Sequence, residues 1–163
     1  MLIELQPLKN YVMETENSLY RHNTSVQIRF NDVDILGHVN NAVYQHYYDF
    51  ARIQYFKKVL GDSINWANQT LVLASIKVDF FSPISIDDEI LVETRVEMLG
   101  NKSIAMKQKL IDAKTREVRS SNRAVLVGYD AKEKITFEVP DEWKNRFVSF
   151  EKSIELKYPV SQN

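Results

Sequence analysis

The sequence predicts an α+β fold in which a curved antiparallel sheet wraps around one long central helix. Four segments between residues 71 and 129 alternate apolar and polar residues and are joined by short turns, which is typical of an antiparallel meander. One face of such a meander must be covered. The only long apolar segment available to cover it is residues 41–60, so these residues are predicted to form the central helix.

Five segments carry the alternating pattern of a strand. In the first, Val26, Ile28 and Phe30 face one side, and this strand is expected to add to the sheet formed by the other four. Gly100 and Asn101 are typical of a hairpin turn. The predicted strands are Ser25–Phe30, Leu71–Phe81, Glu89–Leu99, Ser103–Asp112 and Glu117–Tyr129. The predicted apolar face of the second strand consists of Val72, Ala74, Ile76, Val78 and Phe80.

The central helix is predicted to run from about Asn41 to Leu60. Asn40 or Asn41 can cap its start, because an asparagine side chain accepts a hydrogen bond from a free N–H of the first turn. Gly61 lies just past its end, where a left-handed residue is favoured. Apolar side chains cover most of its circumference, which indicates a buried helix. Its tyrosines are therefore interpreted first as core residues.

At 163 residues the chain is predicted to form one domain. We expect residues 1–22 to form an N-terminal arm, residues 23–150 the domain itself, and residues 151–163 a C-terminal tail. Pro140 precedes two acids, Asp141 and Glu142. A proline at the first turn, followed by acids near the positive end of a helix, predicts a short helix there.

The composition argues against several classes of partner. The chain has 21 Lys and Arg residues against 22 Asp and Glu residues, a net charge of −1, so no nucleic-acid partner is expected. No stretch approaches the roughly 18 apolar residues that span a membrane. The first residues do not follow the pattern of a signal peptide. We therefore expect a cytoplasmic protein without a membrane partner.

No cofactor and no metal ion are expected either. Cysteine is absent, and the three histidines at positions 22, 38 and 46 do not have the spacing of metal ligands. The four glycines, at positions 37, 61, 100 and 128, form no P-loop, dinucleotide fingerprint or nucleophile elbow.

The stretch Asn31–Tyr48, which reads NDVDILGHVNNAVYQHYY, is predicted to contain an active-site loop. Asp32 and Asp34 lie just before a helix N-terminus, and either carboxylate can act as a general base for water or attack a carbonyl. Without further context, a structural role in a turn or cap is the favoured interpretation of either acid. Gly37 allows a tight turn or the close approach of a ligand. His38 can bind substrate or orient the acid, and the first N–H groups of the helix can form an oxyanion hole.

This stretch also carries a family resemblance. The string D-V-D-x-x-G-H-V-N-N-x-x-Y-x-x-Y, followed by A-R-x-x-Y-F at residues 51–56 and F-x-x-P at residues 80–83, resembles the 4-hydroxybenzoyl-CoA thioesterase-like branch of the hot-dog fold superfamily. The resemblance covers roughly residues 24–145, and the order of strand, long helix and meander is similar to the hot-dog fold. It implies hydrolysis of an acyl-CoA or acyl-carrier-protein thioester.

The resemblance also implies roles for individual residues. The family's catalytic acid matches the second acid of D-x-D, which selects Asp34 over Asp32. Backbone N–H groups around Gly37, His38 and Val39 would polarise the thioester carbonyl, and the His38 side chain would help to position the substrate. The residues expected to bind substrate are Asn40, Asn41, Tyr44, Tyr47 and Tyr48, of which the two asparagines also serve as caps or loop clamps.

Two positions relate this chain to neighbouring branches of the superfamily. Plant acyl-carrier-protein thioesterases have an asparagine two residues after the acid, whereas this chain has Leu36, so an asparagine-assisted mechanism is not expected. Another branch carries its acid on the central helix. The nearest candidate is Asp49, which ranks below Asp34.

The resemblance further implies a homodimer or homotetramer in which two sheets join edge to edge and the active site lies at the subunit interface. Basic side chains would then hold the CoA nucleotide, and the candidates are Lys77, Lys107, Arg119 and Arg123. Two alternative functions are a non-catalytic acyl-CoA-binding module and a dehydratase of hydroxyacyl thioesters.

Overall fold

The computed structural model describes residues 19–157. Residues 1–18 of the predicted arm and residues 158–163 of the predicted tail lie outside the described residues. The strands are β1 His22–Val26, β2 Gln69–Phe80, β3 Ile90–Gly100, β4 Ser103–Asp112, β5 Val118–Asp130, β6 Ile135–Thr136 and β7 Glu155–Lys157. The helices are α1 Asn41–Val59 and α2 Asp141–Phe150, with short 3-10 turns at Phe30–Asp32 and Gly61–Ser63.

The main sheet has the strand order β1-β3-β4-β5-β2, and all of its pairs are antiparallel. The predicted meander is correct for β3, β4 and β5 but wrong for β2, which pairs with β5 rather than with β3. Residues 81–89 connect β2 to β3 on the other side of the meander. Nine extended residues can span roughly 30 Å, which is enough to cover the three inter-strand spacings of about 5 Å each that separate β2 from β3.

The first strand lies earlier in the chain than predicted. It ends at Val26, and Phe30 lies in a 3-10 turn with 84% of its surface exposed. The alternation of Val26, Ile28 and Phe30 was therefore misleading, because the Asp32 carboxylate accepts the Arg29 N–H and closes this turn instead. The predicted tail also contributes to the sheet, since β7 pairs in parallel with the end of β3.

The central helix is confirmed. The Asn40 side chain accepts the Ala42 N–H at 2.9 Å and caps its start, and Gly61 has a φ of +56° just past its end. Tyr48 and Tyr55 are completely buried between the helix and the sheet. The predicted short helix after Pro140 is also confirmed as α2, with Asp141 and Glu142 in its first turn.

Two clusters of buried side chains pack along α1. We call them the loop-end cluster, beside the first half of the helix, and the far-end cluster, beside its second half and α2. The loop-end cluster contains Val26, Val39, Tyr44, Tyr47, Tyr48, Ala51, Ile84, Ile90, Val92 and Leu110. The far-end cluster contains Tyr55, Phe56, Val59, Leu60, Ile64, Leu71, Val96, Leu99, Ile104, Met106, Ala124, Leu126, Val139, Trp143 and Phe147.

β2 is the least covered long strand of the sheet. Of the face predicted to be buried, Ile76 is 42% exposed and Phe80 is 47% exposed. The physical reason is the position of β2 at the sheet edge, because it pairs only with β5 among the described strands. The predicted face is therefore apolar but largely open in a single chain.

Candidate active site

The loop between Val33 and Val39 is a tight turn closed by its own backbone. Val33 and Val39 form an isolated antiparallel bridge. The Asp34 N–H donates to the His38 carbonyl at 2.9 Å, and the Gly37 N–H donates to the Asp34 carbonyl at 2.9 Å. Gly37 has a φ of +79°, a conformation that glycine adopts without steric cost. The loop therefore presents Asp34 in a defined backbone geometry directly before α1.

The Asp34 carboxylate is only lightly held. Its Oδ1 accepts the Leu36 N–H at 2.9 Å, and its Oδ2 lies 3.5 Å from Asn40 Nδ2, at the limit of a hydrogen bond. The residue is half-buried, with the exposed Ile35 and Leu36 next to it at the loop tip. Oδ2 therefore keeps capacity to accept a proton or to reach a carbonyl carbon.

The Asp32 carboxylate is held much more firmly. Its Oδ2 accepts both the Arg29 N–H at 2.8 Å and the Tyr47 hydroxyl at 2.7 Å. The backbone carbonyl of Asp32 accepts the Asn40 N–H at 2.8 Å. Burial raises the pKa of the Tyr47 hydroxyl, and the neighbouring Asp32 carboxylate raises it further, so this hydroxyl stays protonated and donates. The geometry thus distinguishes two acids that sequence reasoning alone left equivalent.

The free N–H groups of this region differ from the expected set. The Gly37 N–H is used within the loop, and the Val39 N–H donates to the Ile84 carbonyl at 2.8 Å. Within residues 19–157, the N–H groups of His38 and Asn41 have no hydrogen-bond acceptor. Asn41 is the first residue of α1, where an N–H has no intrahelical partner. Of the expected Gly37–Val39 group, only His38 therefore has an available N–H.

The three tyrosines expected to bind substrate are all buried in the single chain. Tyr44 is 2% exposed and packs edge-on against Phe80, with ring centroids 5.1 Å apart. Burial raises the pKa of its hydroxyl. The Tyr48 hydroxyl donates to Ser120 Oγ at 2.8 Å. The hydroxyls of Tyr47 and Tyr48 are thus hydrogen-bonded within the protein, and all three rings are buried, as the core interpretation of these residues requires.

The lower-ranked acid on the helix is engaged elsewhere. Asp49 Oδ1 accepts from Gln45 Nε2 at 2.8 Å and pairs with Arg52 Nη1 at 2.9 Å. This ion pair with a buried arginine gives Asp49 a structural task on α1.

The model of the thioesterase-like superfamily matches residues 28–147, which is most of the chain. The chain belongs to this superfamily. A thioesterase of Thermus thermophilus, crystallised with coenzyme A and zinc, is 30% identical with a TM-score of 0.71, over 81% of this chain and 95% of that one. The architecture is a hot-dog fold, as the resemblance implied.

Two curated thioesterases share part of their length with this chain. The acyl-CoA thioesterase YbgC of Haemophilus influenzae is 28% identical over 94 residues, 53% of this chain and 65% of that protein. The acyl-acyl carrier protein thioesterase ATL3 of Arabidopsis thaliana is 22% identical over 131 residues, 79% of this chain and 68% of that protein. The chain spans 54% to 68% of the length of the curated relatives that it matches.

In this member of the thioesterase-like superfamily, three of the four candidate cations form a row across the outer face of the sheet. Strand register aligns Lys77 with Arg123 and Arg123 with Lys107. They line a groove of about 420 Å³ together with Tyr20, Phe81 and Lys109. Lys107 and Arg123 both pair with Glu97. The lining of the groove has four cations against one acid, Asp79, which pairs with Lys77, and it includes aromatic rings.

The fourth cation, Arg119, lies elsewhere in the structure. Its Nη2 pairs with Asp112 at 3.1 Å and its Nη1 with Glu117 at 3.3 Å. Backbone N–H groups of the turn and the Arg119 guanidinium lower the pKa of Asp112 to about 2, so that pair stays charged. Arg119 therefore braces the turn between β4 and β5.

Sequence reasoning missed the part played by Ile84. Its carbonyl accepts the Val39 N–H and so ties the active-site loop to the connection between β2 and β3. The only signal was the neighbouring Pro83 of the F-x-x-P string, which marks a backbone that leaves the sheet. Every residue has a backbone carbonyl, so the identity of a side chain does not indicate a hydrogen bond of this kind.

No three His, Asp or Glu side chains within residues 19–157 are grouped so as to hold a metal ion. Within the same residues, no helix is both long enough and apolar enough to cross a membrane.

Proposed function

We propose that this protein hydrolyses acyl-CoA thioesters to a free acid and CoA, with Asp34 as the reacting protein group. The observation that carries the proposal is the contrast between the two acids of the loop. One carboxylate oxygen of Asp32 accepts hydrogen bonds from both Arg29 and Tyr47. Asp34, in contrast, has a carboxylate oxygen whose one contact is a long one, to Asn40. Membership of the thioesterase-like superfamily supports thioester hydrolysis as the reaction.

Asp34 can act by one of two balanced routes. As a general base it takes a proton from water, whose oxygen attacks the thioester carbonyl carbon. The carbonyl electron pair moves to oxygen and then returns, the C–S bond breaks, and the leaving thiolate takes the proton back from Asp34. As a nucleophile, Asp34 attacks the carbon itself, the thiolate leaves, and water hydrolyses the mixed anhydride.

Both routes place a negative charge on the carbonyl oxygen. The N–H groups of His38 and Asn41 are free donors in the loop and at the start of α1, and α1 adds the positive end of its dipole. One such donor contributes about 3–4 kcal/mol to transition-state stabilisation in an oxyanion hole. The exposed His38 side chain would contact the substrate at the entrance.

The CoA nucleotide would bind through its phosphates to the cationic groove on the outer face of the sheet. Lys77, Lys107 and Arg123 support this part of the proposal by their alignment, and Arg119 drops out because it does not line this groove. An acyl carrier protein is the second candidate carrier, which the likeness to the Arabidopsis relative favours. Parallel assays of one acyl group on both carriers distinguish them.

A second copy of the chain would complete the site along β2. This strand carries exposed Ile76 and Phe80 and has one edge without a partner strand among the described residues. Unprotected edges of this kind pair with other strands. Light scattering of the purified protein should give at least twice the 19.1 kDa of one chain, and a strict monomer would contradict the assembly.

The test of the proposed reaction is release of free thiol from a series of acyl-CoA chain lengths. Asp34→Asn keeps the shape of the side chain and removes its basicity, so we expect the rate to fall about 1000-fold. Asp62→Asn, in the exposed turn after α1, is the matched control and should leave the rate unchanged.

Three outcomes would contradict the proposal. Full activity of Asp34→Asn would show that another group reacts. Tight acyl-CoA binding by the wild type without thiol release would indicate the non-catalytic module. Loss of water from a 3-hydroxyacyl thioester, again without thiol release, would indicate a dehydratase.

A further inference from the structure

Tyr47 has a buried hydroxyl that the proposed reaction does not use. The residue is 6% exposed and belongs to the apolar loop-end cluster. Its hydroxyl nevertheless has a charged partner, because it donates to Asp32 Oδ2 at 2.7 Å. Hydrogen bonds to an ionised acceptor are short and strong. This contact joins the second turn of α1 to the chain segment that enters the active-site loop.

The segment that Tyr47 holds is also tied to the other end of the loop. The Asp32 carbonyl accepts the Asn40 N–H at 2.8 Å, so the residue that enters the loop and the residue that leaves it are bonded directly. Asn40 in turn caps α1 through Ala42. Asp34 therefore projects from a turn whose two ends are fastened to the same helix, one by Tyr47 and one by the cap.

We propose that Asp32 and Tyr47 are positioning residues, which fix Asp34 relative to the free N–H groups at the start of α1. The proposal rests on the proposed function, in which Asp34 reacts and those N–H groups bind the oxyanion. Without the Tyr47 contact, the Asp32 side chain keeps only its local bond to Arg29. The entering end of the loop is then tied to the helix only through the backbone bond between Asp32 and Asn40, so the loop can shift on the helix. A displacement of about 1 Å at a reacting group can lower a rate roughly 100-fold.

The first test compares two tyrosines of α1 that make the same kind of bond. Tyr47→Phe removes the hydroxyl that donates to Asp32, and Tyr55→Phe removes one that donates to Glu151 at 2.6 Å, away from the loop. We expect Tyr47→Phe to lower kcat about 10- to 100-fold with KM within about twofold. Tyr55→Phe should keep the wild-type kcat, so equal losses in the two variants would overturn the proposal.

The second test separates positioning by Asp32 from direct catalysis. Both hydrogen bonds of the Asp32 side chain go to the same oxygen, Oδ2. An asparagine can place its one carbonyl oxygen there and accept both, so Asp32→Asn should keep kcat within about threefold. Asp32→Ala loses both bonds and should match Tyr47→Phe, and the double variant should be no worse than Asp32→Ala. If Asp32→Asn were as inactive as Asp34→Asn, Asp32 would be the reacting acid and the positioning role would be overturned.

The third test does not depend on activity. Hydrogen exchange of the Asp34 and Gly37 amides, both bonded within the loop, should become faster in Tyr47→Phe but not in Tyr55→Phe. Unchanged exchange in Tyr47→Phe would overturn the positioning role.

The two proposals fail in different ways. If Asp34→Asn keeps full activity, the proposed function fails whatever the exchange rates show. If Asp34→Asn is inactive while Tyr47→Phe has the kcat and exchange rates of the wild type, only the positioning role fails.

Discussion

At the loop end of α1 the Tyr47 hydroxyl donates to Asp32, and at the far end the Tyr55 hydroxyl donates to Glu151, over 2.7 and 2.6 Å. Asp32 lies on a half-buried surface loop beside Asp34, the acid for which we propose the reacting role. Glu151 is buried at the end of α2 and faces the far-end cluster. One tyrosine–carboxylate pair thus holds the loop for which we propose the catalytic role, and the other holds α2 against the rest of the fold. The surroundings of the acid decide which task the pair performs.

The far-end pair fills a gap at the edge of the sheet. β1 pairs with β3 as far as Thr94, and β7 pairs with it from Met98 onwards. Val96 lies between these two strands, and its N–H donates to Glu151 Oε1 at 2.8 Å. The acid therefore replaces a missing strand for one residue and anchors the end of α2 to the sheet.

The largest expected effect comes from breaking the far-end pair. Glu151→Ala leaves the Tyr55 hydroxyl and the Val96 N–H buried without an acceptor, and each such group costs about 1–3 kcal/mol. We expect the free energy of unfolding to fall by about 2–4 kcal/mol in urea denaturation. Thiol release per folded molecule should stay at the wild-type rate, and a selective loss of kcat in well-folded protein would contradict the division between the two ends.

How far the sequence could predict these two ends differs for a physical reason. The cap at Asn40, the left-handed Gly61 and the apolar circumference of α1 are local signals, and the helix they predict is confirmed. The strand Ser103–Asp112 was predicted with its observed ends for the same reason. These features could be predicted because each of them depends on residues that are close together in the sequence.

Contacts between distant residues were not readable in the same way. Glu151 lies in a polar stretch that sequence reasoning assigned to a tail, and it meets Tyr55 only after α2 has packed against α1. The pairing of β2 with β5 likewise depends on the path of residues 81–89, which connect β2 to β3 across the sheet. At the loop, only the family resemblance preferred Asp34, because the bond from Tyr47 that occupies Asp32 crosses fifteen positions of the chain.

A middle-sized effect is expected at the loop end. Asn40→Ala removes the cap on Ala42, which typically costs about 1 kcal/mol of stability, and also the long contact with Asp34. Thermal unfolding and thiol release should therefore both decline. Asn40→Ser is the matched variant, because serine caps a helix but is too short to contact Asp34. If Asn40→Ser restored both stability and kcat in full, Asn40 would serve only the helix.

The smallest effect is a pH dependence at the far end. Burial raises the pKa of Glu151 above its ordinary 4.5, outweighing Tyr55, the Val96 N–H, Arg95 and Arg21, which lower it. A raised pKa means that the folded state favours the protonated acid, so this stabilisation is complete below pH 4.5 and is lost as the pH rises through the folded value.

Glu151→Gln can accept the same two hydrogen bonds but does not ionise. Its stability relative to the wild type should therefore increase from about pH 4 to about pH 7, and urea denaturation of both proteins across that range measures the difference. A constant difference would show that Glu151 ionises as easily in the fold as in the unfolded chain, and the contrast with the exposed loop end would then rest on hydrogen bonds alone.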